Sequence, residues 1–387
     1  MMSIRHLLSL FVATLVALSG LAGTGSVAGA HDDAVHIGLE GPLSGDQANI
    51  GKGMLKGARL AAKQINADGG IGGRKVEIVP IDDAADPETG VEAASAAIAE
   101  GLDGVVGPYN SGVGAETLPL YVDAGLVPIR LTSADSTAGL GFTLQPMTSQ
   151  IAPVAAEALT TWLGAGSVAI AYDDTTLYTA TVSAALKELL EGAGVTITAY
   201  EPVEPGLKDY SDLVEKLDAT NPDVIYVATY FPEGGRIAKA MRALPSQAQC
   251  LADYGSYDTG FISVAGRKAA RMCPVVGVPS PDEFPGASSF VAAYRKQFRT
   301  APGTWSPYAF DSVMLLAEAA ENVGSFDAAA LTAELNQVNG WEGWTGSVTL
   351  EPGTGNREPA TVAVMETGRD GRFRVLTDWA RAVGYDV

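Results

Sequence analysis

The stretch VVGPYNSGVGAE, Val105 to Glu116, joins a short apolar run to a helix-like segment through a loop rich in glycine (Gly107, Gly112, Gly114). A strand that ends into a helix start exposes backbone N–H groups with no intrahelical partner, together with the positive end of the helix dipole. That combination suits an anion. Ser111 adds a hydroxyl donor at the same point. A nucleotide loop of the G-x-x-x-x-G-K-[ST] type needs its lysine to reach the phosphates. Gly107 and Gly112 fit the glycine spacing, but Val113 and Gly114 follow where lysine and a hydroxyl residue should stand. Gly112-Val113-Gly114 begins a dinucleotide fingerprint that Thr117 breaks. Two readings stay open: a socket for a small carboxylate, or a plain turn with Ser111 as a helix cap.

Little else has catalytic spacing. Beyond residue 30 the histidines are His31 and His36, neither near an obvious serine or cysteine nucleophile, and no His/Cys cluster has zinc spacing. The paired acids Asp82-Asp83 and Asp173-Asp174 fall at strand ends, where such pairs are more often solvated loop residues or caps than acid/base groups or metal ligands. Binding without catalysis and without a cofactor or metal is therefore expected. A secreted enzyme on a doubly wound fold is the weakest alternative.

The elements that must position these residues alternate. The runs 76–81, 105–106 and 127–132 read as strands, with helices at 51–66, 86–100 and 115–123; Pro87 falls in a first turn. The alternation restarts with strands 167–172, 195–200, 223–228, 250–252 and 273–278. Helices are expected at 178–191, 211–219 with Ser211 as cap, 235–244, 288–299, 307–323 and 326–337. Strands alternating with helices imply parallel sheets covered on both faces. Two such runs in 387 residues imply two α/β units, and facing sheets would form a cleft at their carboxyl ends.

Arg5 and His6, the apolar run Leu7–Ala22 and the sequence Ala28-Gly29-Ala30 read as a cleavable export signal over residues 1–30, a retained anchor being the competing reading. Without it the chain carries 24 basic and 45 acidic residues, a net charge of −21, which makes nucleic acid an improbable partner. Cys250 and Cys273 are the only cysteines; in an exported chain they suggest one disulfide, against two separate buried thiols.

The segments VHIGLEGPLSGDQANIG (35–51), GARLAAKQINADGGIGGRKVEIVPIDDAADPETG (57–90), DYSDLVEKLDATNPDVIYVATYFPEGG (209–235) and WSPYAFDSV (305–313) carry a family likeness in their order and spacing. Through them the chain resembles the branched-chain amino acid transporter solute-binding proteins, the Leu/Ile/Val-binding type of periplasmic receptor. The resemblance implies a type I periplasmic-binding fold of two doubly wound α/β lobes joined by three hinge crossings near 146–148, 278–280 and 345–347. Lobe 1 would hold residues 31–147 and 280–345; lobe 2 would hold 148–279 and 346–387.

The resemblance also implies a ligand set. Ser111 matches the serine that binds an α-carboxylate. Thr132 and Ser133 fall in the small and hydroxyl stretch that follows the strand 127–132, and Ala134 stands where a threonine is common. Tyr178 and Tyr230 match tyrosines facing the cleft from the second lobe, Tyr308 sits at the lip, and Ile50 replaces an aromatic ring of some members. The acid that pairs an ammonium falls on Tyr254 by direct alignment and on Asp253 with a one-residue gap, with Asp258 and Glu233 in reserve. Should none serve, the ligand would be an amide or a simple carboxylic acid. The partners implied are a small-molecule amino acid or related carboxylate or amide and the permease of an ABC importer, with a monomeric, periplasmic protein not inserted in the membrane. The alternative is a ligand-sensing receptor or regulator of the same fold.

Overall fold

The computed structural model describes residues 34–280, 283–284 and 287–385; the export signal expected over residues 1–30, and His31, lie outside them. Among the described residues no helix is long and apolar enough to cross a membrane.

Strands β1 (Val35–Gly41), β2 (Val76–Asp82), β3 (Gly104–Val106), β4 (Pro128–Arg130) and β5 (Phe142–Thr143) form a parallel sheet in the order β2-β1-β3-β4-β5. Helices α1 (Ala48–Ala67), α2 (Pro87–Glu100) and α3 (Ser111–Asp123) connect its strands. Asp86 caps α2 through the N–H of Thr89, with Pro87 in the first turn. Gly57 lets α1 approach the helix Ser306–Val323: a Cβ there would stand 2.1 Å from the Ser306 carbonyl oxygen.

The chain crosses to a second sheet through α4 (Thr148–Glu157), which packs on α5 (Leu177–Gly192). Strands β6 (Ser167–Tyr172), β7 (Thr196–Pro202), β8 (Val224–Ala228), β9 (Gln249–Ala252) and β10 (Val275–Gly277) run parallel. Strands β6 and β8 are almost wholly buried, as expected of parallel strands covered on both faces. Helices Ala287–Phe298 and Ser306–Val323 then return to pack on α1. A hairpin of β11 (Trp341–Gly343) and β12 (Gly346–Val348) follows. Strands β13 (Ala363–Thr367) and β14 (Phe373–Val375) complete the second sheet, β13 antiparallel to β10.

The structure corrects the third crossing. Residues 346–358 do not pass to the second lobe but stay against the first sheet: the Thr143 N–H donates to Gly355 O, and the buried Arg130 guanidinium to Thr354 O and Asn356 Oδ1. A buried guanidinium needs acceptors, and this segment supplies them; the chain crosses only between 358 and 363. Ser211 is also not a cap. Tyr210 holds that position, while the Ser211 N–H and hydroxyl both donate to Asp209 Oδ1. Helix α3 starts four residues before the expected Ala115, because Gly114 packs against Thr132, Leu118 and Pro108 and overrides the low helix propensity of glycine.

Candidate functional site

In the first sheet β1 lies between β2 and β3, so the chain reverses direction there and the loops after β1 and β3 splay apart. Ligands of open α/β sheets bind at such points. Gly107, at φ +103°, lets the loop after β3 cross the end of β1: a Cβ would sit 2.1 Å from the Glu40 carbonyl oxygen. The loop thereby delivers Ser111 as the first residue of α3. Ser111 Oγ accepts the N–H groups of Ser133 (3.2 Å) and Ala134 (3.1 Å) from the loop after β4. Its own proton is left for a further acceptor.

The second sheet repeats the device with β6 between β7 and β8. Tyr178 stands in the first turn of α5 after β6, Tyr230 follows β8, and Tyr254 and Gly255 follow β9. The two switch points face each other across a small cavity of about 10 Å³. Tyr109, Ser111, Leu131, Ser133 and Gln145 form one wall; Tyr178, Tyr230, Tyr254 and Gly255 form the other. Around it five rings close a collar. Successive centroids are 6.2 Å (Tyr109–Tyr230), 6.2 Å (Tyr230–Tyr178), 6.4 Å (Tyr178–Tyr254), 5.4 Å (Tyr254–Trp305) and 5.5 Å (Trp305–Tyr109). Burial raises the pKa of each of the four tyrosines, so their hydroxyls are protonated at neutral pH.

Of the expected residues, Ser111, Ser133, Tyr178, Tyr230 and Tyr254 line this cavity. Asp253 does not. Its Oδ1 accepts the Tyr226 hydroxyl at 2.6 Å, and its Oδ2 accepts the Tyr178 hydroxyl at 2.8 Å and the Gly255 N–H at 3.0 Å. Burial raises its pKa and these three donors offset part of that rise, so the carboxyl props the tyrosine wall from behind. The reserves are engaged as well: Asp258, pushed to about 6 by burial, caps the helix Thr259–Ala265 through the Gly260 N–H, and Glu233 pairs with Arg236. Thr132 spends its hydroxyl on Thr137, Ala134 contributes only its N–H to Ser111, and Ile50 is buried in the core. Tyr308 is not at a lip; it is buried against Trp305, 5.5 Å between centroids.

The sequence reading missed Tyr109, Gln145 and Trp305. Tyr109 stands two residues before Ser111, and Trp305 opens WSPYAF, so both were within quoted motifs. Gln145, just before the first crossing, had no local signal. It is fully buried; its Oε1 accepts the hydroxyls of Ser133 (3.4 Å) and Tyr254 (3.3 Å), and its Nε2 has no partner. Cys250 and Cys273 form a disulfide, Cα atoms 4.7 Å apart, which ties the start of β9 to the segment before β10. Among the described residues no group of three or more His, Cys, Asp or Glu could hold a metal ion.

The family model of the periplasmic binding proteins matches residues 34–372. The Leu/Ile/Val-binding protein BraC3 of Rhizobium johnstonii is 31% identical over 335 residues, covering 84% of this chain and 88% of its own. An ABC transporter substrate-binding protein of Desulfitobacterium hafniense, solved with Leu, is 27% identical with a TM-score of 0.73, over 89% of this chain and all (100%) of its own. LivJ of Streptococcus pneumoniae, solved with isoleucine, gives a TM-score of 0.80 at 24% identity over 89% of this chain and 99% of its own. The last likeness shows the fold alone, the type I periplasmic-binding fold expected from the sequence. Since the family match takes in the whole first sheet, the second sheet as far as β13 and every residue of the cavity wall, the chain belongs to the periplasmic binding protein family.

Proposed function

We propose that the protein is the extracytoplasmic solute-binding component of an ABC importer, capturing an amino acid or a related small carboxylate or amide between its lobes. The observation that carries this reading is the meeting of two switch points at one small cavity, with Ser111, Ser133 and Gln145 on one wall and Tyr178, Tyr230 and Tyr254 on the other. The first lobe offers Ser111 and the α3 N-terminus to the carboxylate while the cleft is open. Closure then adds Tyr178, Tyr230 and Tyr254. A ligand that gains the second wall only on closing shifts the equilibrium by that difference in affinity. The closed shape is what the permease reads, and the protein works as a monomer in the periplasm after removal of its export signal. The matched names of the Rhizobium johnstonii and Desulfitobacterium hafniense proteins support this role.

The test begins with a thermal-shift panel of amino acids, amides, and aliphatic and aromatic acids. A genuine ligand raises the melting temperature by mass action. Ser111→Ala is then expected to weaken the best solute of that panel by about tenfold, the loss of one hydrogen bond to a charged group. Its far-UV circular dichroism should be unchanged. Equal affinity of the variant by calorimetry would overturn the role of Ser111, and a panel with no ligand at all would overturn the solute-binding reading.

A further inference from the structure

The cleft lies at the carboxyl ends of the strands. A wider cavity, of about 420 Å³, opens at the opposite end of the second sheet. Strand β9 runs from one to the other: Gln249 and Cys250, at its start, line this cavity, and Tyr254, just past its end, lines the cleft. Four extended residues, about 13 Å of strand, keep the two apart. The volume falls in the range of roughly 300–1,000 Å³ that small-molecule sites occupy.

One wall is shaped by an irregular backbone. The Leu163 N–H donates to Ala158 O at 2.9 Å, a π turn that follows α4 and places Trp162 and Leu163 on the cavity. Such turns are rare and recur at functional sites. The disulfide fixes the floor, since Cys250 and Cys273 both line it. Met241 and Met272 extend the apolar lining, and Met272 is 61% exposed, an apolar side chain left in water at a cavity wall.

The charge of this place runs against that of the chain, which has 45 acidic and 25 basic residues. Among the described residues no acid lines the cavity, while Arg242 and Arg271 do. Both are exposed, and neither guanidinium has a hydrogen bond or ion pair with a described residue. They come from the helix Phe231–Ala243 and from the end of the helix Arg267–Ala270, which pack on each other. The acids bonded to neighbouring segments are held by their own donors. Asp218 accepts the Ser246 hydroxyl, and Asp223 Oδ2 accepts the N–H groups of Gly166 and Ser167 and the Ser167 hydroxyl, each at 2.9 Å. Two unpaired guanidinium forks suit a carboxylate, and the tryptophan, leucine and methionines beside them suit an apolar tail.

We propose that this cavity is a second ligand site, separate from the cleft, for an amphipathic monocarboxylate: its head on Arg242 and Arg271, its tail against Trp162, Leu163, Met241 and Met272.

The test is calorimetric titration of the protein with octanoate, octylammonium and 1-octanol, which share a tail and differ in the head, and with acetate, which has the head alone. Octanoate should bind, and the other three at least about tenfold more weakly. Arg242→Gln combined with Arg271→Gln should weaken octanoate at least about tenfold, and so should Met272→Glu, all at exposed positions where the parent melting profile is expected to persist. Octanoate should change the tryptophan fluorescence of the parent and not that of Trp162→Phe. Ser111→Ala should leave octanoate binding unchanged. Silence from octanoate, equal binding of octylammonium, or undiminished binding in both the arginine and the Met272 variants overturns the proposal. A fluorescence change that survives in Trp162→Phe overturns it as well. Loss of octanoate binding in Ser111→Ala would place the acid in the cleft, overturning the second site while the solute-binding reading stands. Flotation of the protein with phosphatidylglycerol vesicles, abolished by the arginine variant and without binding of free octanoate, would assign the patch to a membrane surface and overturn the proposal too.

Discussion

Each sheet buries acids at the carboxyl ends of its strands, and the two sheets treat them differently. In the second, Asp253 after β9 receives two tyrosine hydroxyls and one N–H, and every acceptor position used is filled with good geometry. In the first, Glu40 near the end of β1 and Asp83 after β2 are fully buried, yet Glu40 Oε1 and Asp83 Oδ2 have no partner. The Tyr121 hydroxyl lies beside Glu40 without a well-formed hydrogen bond. Burial pushes Asp83 up to about 7, against the Ala85 N–H, which lowers it, and with Asp82 and Asp86 raising it further. Burial and the neighbouring Asp83 hold Glu40 well above the usual carboxylate range. Donors to a buried carboxyl offset the upward push of burial, and where they are lacking that push goes unopposed. The second-sheet acid therefore acts as a brace, and the first-sheet pair as a proton-holding couple whose apparent titration belongs to both members.

The largest effect should come from breaking the brace. Asp253→Ala strands two buried hydroxyls and an N–H, and is expected to destabilise by on the order of 4 kcal/mol in chemical denaturation. It should also loosen Tyr178 and weaken all ligands alike, because the carboxyl supports the wall and does not contact the ligand. A loss confined to α-amino ligands would show that Asp253 enters the cavity after all and would collapse the contrast.

The next effect reverses sign. Asp83 has a folded pKa of about 7 against an unfolded value near 3.9. The folded state binds the extra proton, so the stability tied to this group is fully present below pH ~4 and is lost as pH rises through about 7. The upper limit of that loss is roughly 4 kcal/mol. Asp83→Asn cannot ionise and should recover about 2 kcal/mol at pH 8, part being forgone because the amide is still a buried polar group. Its advantage over the parent should grow between pH 4 and 8, Asp258 and Glu40 titrating alike in both. A difference between variant and parent that stays constant over that interval would mean that Asp83 is as well served as Asp253.

The same contrast governs what could be read in advance. Parallel sheets and helices were legible because strand runs and helical spacing are local in sequence. Asp253 was visible as an acid after β9, but the direction of its side chain depends on Tyr226 and Tyr178, 27 and 75 residues away. Gln145 lay between Leu144 and Pro146 with no pattern to mark it, and its partner Tyr254 is 109 residues distant. The third crossing was misplaced for a like reason: Arg130 holds the segment 354–356 over a separation of 226 residues, beyond any periodicity. Glycine-rich local sequence also hid the first turn of α3, where close packing of Gly114 outweighs propensity.

The smallest predicted effect is the sharpest test of the neutral pair. Thr117 is fully buried and donates to Glu40 Oε2 at 3.1 Å. Thr117→Val keeps the shape and removes the donor. If Glu40 is protonated, the hydrogen bond lost is between neutral groups and the cost is about 1 kcal/mol. If Glu40 is ionised, a charge loses its one good donor and the cost is about 2 kcal/mol or more. Because burial and Asp83 both raise the Glu40 pKa, the cost should be the same at pH 5 and pH 8, measured as the difference in denaturation free energy between variant and parent. A cost that doubles across that interval would show Glu40 becoming an ion in the folded state. It would then be an ion held by one good donor, and the contrast with Asp253 would lie in the number of donors each carboxyl receives.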